Sequence, residues 1–117
     1  MNNGLRKIEL LAPAKNLECG IAAIDHGADA VYIGAAQFGA RQTAGNSTED
    51  IAELTRYAHQ FGAAVYVTVN TIVYEKELQA LEHLLRQLVE MSVDAILVQD
   101  MAVLEIYKKL KAEYVAR

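Results

Sequence analysis

The apolar residues of this chain follow two different periods. In three short runs, 30–34, 64–70 and 95–99, side-chain character alternates with the period of two expected of a strand. Between these runs apolar residues recur every third or fourth position, as on one face of a helix. The runs are also related to one another. Gly27-Ala-Asp-Ala-Val-Tyr-Ile33 resembles Gly62-Ala-Ala-Val-Tyr-Val67, which starts 35 residues later, and both resemble Val93-Asp-Ala-Ile-Leu-Val98. A repeat of that length fits a unit of one strand and one helix.

The pattern predicts four such units. Strand β1 covers 7–12. Helix α1 covers 17–26, with Asn16 as N-cap, Gly27 as its stop and Leu17, Ile21 and Ile24 as its apolar stripe. Strand β2 covers 30–34. A long loop, 35–46, leads to helix α2, which Ser47 caps and whose first turn carries Glu49 and Asp50. Ile51, Leu54, Tyr57, Ala58 and Phe61 give α2 its period, and Gly62 ends it. Strand β3 covers 64–70. Helix α3 covers 75–91, with Leu78, Leu81, Leu84, Leu85 and Leu88 on one face. Strand β4 covers 95–99. Helix α4 starts at 101 or 102, with Val103, Ile106, Tyr107 and Leu110 inward and Lys108, Lys109 and Lys111 near its C-terminal end, where the helix dipole favours cations.

Helical crossovers between successive strands imply a parallel sheet. Two architectures meet that description, an open doubly wound sheet and part of a (β/α)₈ barrel. The first strand–helix turn, Ala12-Pro-Ala-Lys-Asn16, has no glycine, so it is not a dinucleotide-binding turn. The strand faces also differ. Ile8, Leu10, Val31, Ile33, Val65, Val67, Val69, Ile96 and Val98 form one aliphatic side. Glu9, Leu11, Tyr32, Gly34, Tyr66, Thr68, Asn70, Leu97 and Gln99 form the other. A doubly wound sheet is covered by helices on both faces and is apolar on both. One polar face fits a barrel whose interior leads to a site at the C-terminal mouth of the strands. The expected fold is therefore α/β, parallel βαβαβαβα, half of a TIM-like (β/α)₈ barrel, in one domain over 1–117.

Composition narrows the function classes. The chain has 117 residues and a mass of 12.8 kDa, of which 53% are hydrophobic, too apolar for intrinsic disorder. Its net charge of −4 argues against autonomous nucleic-acid binding, and no basic face marks it for a membrane surface. Cys19 is the one cysteine, which excludes an intrachain disulfide and a metal site built from cysteines alone. No apolar run approaches membrane-spanning length and no leader pattern follows Met1, so a soluble, cytoplasmic protein is expected.

Candidate chemistry gathers on the polar strand face. Asn70 and Gln99 end their strands, where substrate groups are met. Glu9 is expected mid-β1, pointing into the barrel, with Arg41 of the long loop as partner for its charge. Asp100 is either a site residue or the N-cap of α4. Tyr32 and Tyr66 read as barrel filling with satisfied hydroxyls. Asp29 and Asp94 hold equivalent places ahead of strands and read as turn residues. His26, His59 and His83 are dispersed over helices and do not form a metal set.

Five segments in order resemble a known family. They are Glu9-Leu-Leu-Ala-Pro-Ala14, Gly27-Ala-Asp-Ala-Val-Tyr-Ile-Gly34, the loop from Phe38-Gly-Ala-Arg41 to Ala44-Gly-Asn46, Tyr66-Val-Thr-Val-Asn-Thr71, and Val98-Gln-Asp100. They resemble the N-terminal part of the U32 peptidases, a group described as collagenase-like proteases, and the likeness runs from Glu9 to about Leu110. Lys15 stands where the family commonly has glycine, and Ser47 where an aromatic is common. By position, Arg41, Asn46, Asn70, Gln99 and Asp100 match family residues near the barrel mouth. With Glu9 they are the expected substrate-binding residues, and no catalytic residue is assigned.

The resemblance implies a hydrolase of the protease type. Its alternative is a part in RNA or ubiquinone hydroxylation, which in the family uses an iron–sulfur cluster held by cysteines further along. A third possibility is a non-catalytic folding and association unit. The expectation is a fragment of a longer protein, inactive alone, with no cofactor of its own, and with peptide or RNA as substrate only in the full-length form. Open strand edges further imply a homodimer or higher oligomer.

Overall fold

The computed structural model describes residues 9–36, 45–69, 78–98 and 101–116. Four strands and four helices alternate: β1 (Leu11–Ala14), α1 (Leu17–Asp25), β2 (Ala30–Gly34), α2 (Thr48–Gln60), β3 (Ala64–Val69), α3 (Leu78–Glu90), β4 (Ala95–Val98) and α4 (Met101–Ala116). The strands pair in parallel in the order β1-β2-β3-β4. That order decides between the two architectures. A doubly wound sheet reverses direction at a switch point, whereas here every unit steps the same way, as in a barrel. The fold is α/β and consistent with half of a (β/α)₈ barrel.

The local signals that define the helices hold. The Asn16 side chain accepts a hydrogen bond from Cys19 N at 2.9 Å, and Ser47 Oγ accepts one from Asp50 N at 3.2 Å. The chain leaves the first two helices through left-handed residues, Gly27 at φ 101° and Gly62 at φ 72°. At the equivalent place after α3 the left-handed residue is Ser92, at φ 64°.

Register partners share a face. Ala12 and Ala14 align with Val31 and Ile33, these with Val65 and Val67, and Val67 and Val69 with Ile96 and Val98. Val31, Ile33, Val65 and Val67 are almost wholly buried under Ile51, Leu54 and Ala58 of α2 and the leucines of α3. The opposite face is bare. Leu11 is 46% exposed, Tyr32 36% and Leu97 51%, large apolar side chains left open to solvent. This one-sided burial is the arrangement that the alternation in 30–34 and 64–70 implied.

One element departs from expectation. β1 runs over Leu11–Ala14, where 7–12 was expected: 9 and 10 precede the strand, and 7 and 8 lie outside the described residues. Pro13 lies within the strand; it lacks a backbone donor but is tolerated because β1 is an edge. Leu10, expected on the helix side, instead precedes the strand and is 55% exposed. Among the described residues no helix is long and apolar enough to cross a membrane.

Candidate functional site

The bare sheet face is layered by the register. Pro13, Tyr32, Tyr66 and Ala95 form one row across the four strands, and Gly34, Thr68 and Leu97 form the next row toward the C-terminal ends. The two tyrosines are direct neighbours on β2 and β3. They present adjacent aromatic side chains to whatever covers the bare face.

Glu9 belongs to this face, but not where the sequence placed it. It precedes β1 instead of sitting mid-strand, because the strand starts at Leu11. Its partner among the described residues is a phenol: Tyr66 Oη donates toward Glu9 Oε1 at 3.3 Å and Oε2 at 3.5 Å. Desolvation, then the charge and hydrogen bond of Glu9, and then the charge of Asp94 all push the Tyr66 hydroxyl above the ordinary tyrosine value. Tyr66 therefore stays a neutral donor at neutral pH. Arg41, the partner expected for Glu9, lies outside the described residues.

Asn46 stands at the other end of the strands. Its side-chain amide donates to Gly34 O at 3.0 Å and Lys15 O at 3.2 Å, bracing the C-terminal ends of β2 and β1. Its backbone adds two bonds, Asn46 N to Gly34 O at 2.9 Å and Ala36 N to Asn46 O at 3.0 Å, which close the base of the long loop. With both amide hydrogens committed to the backbone, Asn46 can meet a substrate only through Oδ1. Lys15 follows β1 by one residue and Glu9 precedes it by two. At strand rise the six residue steps from Glu9 to Lys15 span about 20 Å, so Asn46 and Glu9 are not one constellation. Asn70, Gln99 and Asp100 lie outside the described residues.

Two structural contacts were not foreseen. Asp29 Oδ2 accepts from Leu10 N at 2.9 Å, and Asp94 Oδ2 accepts from Val65 N at 2.7 Å. In return Asp29 N donates to Leu10 O and Asp94 N to Val65 O. Each aspartate thus clamps the preceding strand at the sheet's N-terminal end, beyond what a turn residue would do. His59 Nε2 joins the second clamp at 2.9 Å from Asp94 Oδ2. The shared place of the two aspartates in the repeat was the available signal.

The side chains present do not fit an iron–sulfur cluster. Such clusters are held by several thiolates, and the chain has one cysteine, Cys19, exposed on α1. Among the described residues no three His, Cys, Asp or Glu side chains are grouped to hold a metal ion. Nor, among them, is a Ser or Cys side chain hydrogen-bonded to a histidine or a carboxylate. A groove of about 450 Å³ lies on the helical side, lined by Ala52, Thr55, Arg56, His59, Gln60 and Met91, away from the bare face.

Comparison with known proteins follows this geometry. The chain is 50% identical over 100 residues to the 23S rRNA 5-hydroxycytidine C2501 synthase of Escherichia coli K12, covering 86% of this chain and 15% of that protein. It is 41% identical over 106 residues to tRNA hydroxylation protein P1 of Bacillus subtilis 168, covering 90% and 25%. It is 30% identical over 96 residues to a collagenase of Porphyromonas gingivalis W83, covering 80% and 23%. The chain thus spans a quarter or less of the length of these three relatives. The family model for Peptidase family U32 matches residues 15–115, nearly the whole chain. With its parallel strand order and one bare sheet face, this chain belongs to the U32 peptidase family.

Proposed function

We propose that this chain forms the substrate-facing first half of a barrel that takes part in hydroxylating an RNA base. The observation that carries this reading is the 50% identity to the E. coli rRNA hydroxycytidine synthase across most of the chain. The hydroxylation alternative therefore stands ahead of the hydrolase that the family name first implied. The site geometry agrees with it. Adjacent aromatic side chains on the bare face offer π-surfaces on which a planar base stacks, a contact that contributes roughly 1–3 kcal/mol per base. Tyr66 supplies a neutral donor and Glu9 an acceptor near the same surface.

The net charge of −4 means that phosphate contacts, which dominate RNA affinity, come from elsewhere in an active protein. Any cluster chemistry likewise draws its thiolates from outside this chain, and its own residues serve to position the base. The substrate-binding role of Glu9 and Asn46 belongs to this proposal, as does that of Arg41, Asn70, Gln99 and Asp100.

The test is a graft. This chain replaces the matching segment of the E. coli synthase, and 5-hydroxycytidine in 23S rRNA is measured by mass spectrometry of nucleosides. The expected result is retained modification at normal protein abundance. A stable, abundant graft that leaves C2501 unmodified, or one that cleaves gelatin instead, sinks the reading.

A further inference from the structure

Asn46 is joined to three elements at once. Its side-chain amide donates to Lys15 O at 3.2 Å, at the exit of β1, and to Gly34 O at 3.0 Å, at the end of β2. Its backbone N–H reaches the same Gly34 oxygen at 2.9 Å, and its carbonyl accepts from Ala36 N at 3.0 Å. One residue further on, Ser47 caps α2. Regular pairing of β1 with β2 stops at Ala14 and Ile33, so Asn46 adds a rung just past it. Both side-chain partners are carbonyl oxygens, which only accept, so the amide turns its nitrogen toward them.

We infer that Asn46 is a positioning residue, acting on the substrate through the backbone that it holds at the C-terminal ends of β1 and β2. This rests on the hydroxylation reading and narrows the part of Asn46 in it. Barrels of this kind carry their sites at that end of the strands. Lys15 is the first residue past β1 and Gly34 the last of β2. Fixing their carbonyls fixes the two chain exits that border the site. Misplacing a reacting group by about 1 Å costs about a hundredfold in rate. Loss of the brace is therefore read in modification more than in affinity.

Two variants in the E. coli graft separate the roles. Asn46→Asp keeps the Oδ1 acceptor and loses both donors, and Asn46→Leu loses all three. Both are expected to lower 5-hydroxycytidine about tenfold or more at matched protein abundance. Filter-binding affinity for a 23S rRNA fragment carrying C2501 is expected to stay within about threefold. If Asn46→Asp keeps full modification, Oδ1 meets the substrate directly and the inference is overturned. Full modification by both variants, or affinity lost in step with modification, also overturns it. A graft inactive with Asn46 intact fails the hydroxylation reading instead. Hydrogen exchange on the unmodified chain then decides the inference, as it does if the variants fold poorly. Amides of 36 and 46 are expected to be as protected as those of 65–67, and free exchange at 36 and 46 overturns the brace.

Discussion

The hydroxyl of Tyr66 lies 3.3 Å from Oε1 of Glu9, tying β3 to the segment ahead of β1 across the uncovered face of the sheet. Glu9 is exposed and keeps its hydration when the phenol is lost, so the contact sits at the low end of hydrogen-bond contributions. Tyr66→Phe is expected to lower stability by about 0.5 kcal/mol. Urea unfolding of the two proteins measures it, and an unchanged midpoint would mean the contact carries no stability.

Alkaline pH probes the same pair. Tyr66 is raised by desolvation and Glu9, Tyr57 by its hydrogen bond to Asp25, and Tyr107 by burial. In each case the fold favours the neutral phenol. That stabilisation is complete below the unfolded tyrosine value of about 10 and is lost as pH rises through the higher folded values. Ultraviolet absorbance should therefore show tyrosines ionising above pH about 10, and the stability these phenols contribute should fall as pH rises beyond about 10. A titration in which every tyrosine behaves as a free one would refute these environments.

Ser92 offers a stabilising change. It holds φ 64° where the first two repeats place Gly27 and Gly62, and a left-handed residue with a Cβ costs about 1–2 kcal/mol. Part of that gain is offset by the greater freedom of glycine in the unfolded chain. Ser92→Gly should raise stability by about 0.5–1 kcal/mol, visible as a higher thermal midpoint. A lower midpoint would show that the serine makes a compensating contact.

Gly45 should tolerate no side chain. Its φ is +87°, and an added Cβ would run into the carbonyl of Ala35. Both the strain and the collision fall where Asn46 braces β1 against β2. Gly45→Ala is expected to cost about 2 kcal/mol or more in chemical denaturation. Wild-type stability for that variant would mean the loop base rearranges freely.

Much of this fold was legible because each repeat states it again. Ala30–Gly34 carries the alternation of its strand, and Asn16 and Ser47 announce their helices by the hydrogen bonds they make. The first strand runs past its expected end at 12 because Pro13 is tolerated on an edge, and which strand is an edge is a tertiary fact. The site was less legible for the same reason. Alternation put Glu9 and Tyr66 on one face, but nothing local says that a phenol from β3 reaches a carboxylate 57 residues earlier. Asn46 was found by its place in a motif, whereas its backbone bracing follows from the way the loop closes. The clamps of Asp29 and Asp94 needed the strand register, which periodicity alone does not supply.

On the proposed reading, the bare face of the sheet receives an RNA base. Its most direct test compares substitutions on the two sides of the sheet within the E. coli graft, reading 5-hydroxycytidine at matched protein abundance. Tyr32→Ala and Tyr66→Ala should each reduce modification about tenfold, the loss expected for one base-stacking contact. Arg56→Ala, in the groove on the helical side, should leave it unchanged. Full modification with both tyrosines replaced, or an equal loss from Arg56→Ala, would contradict the account.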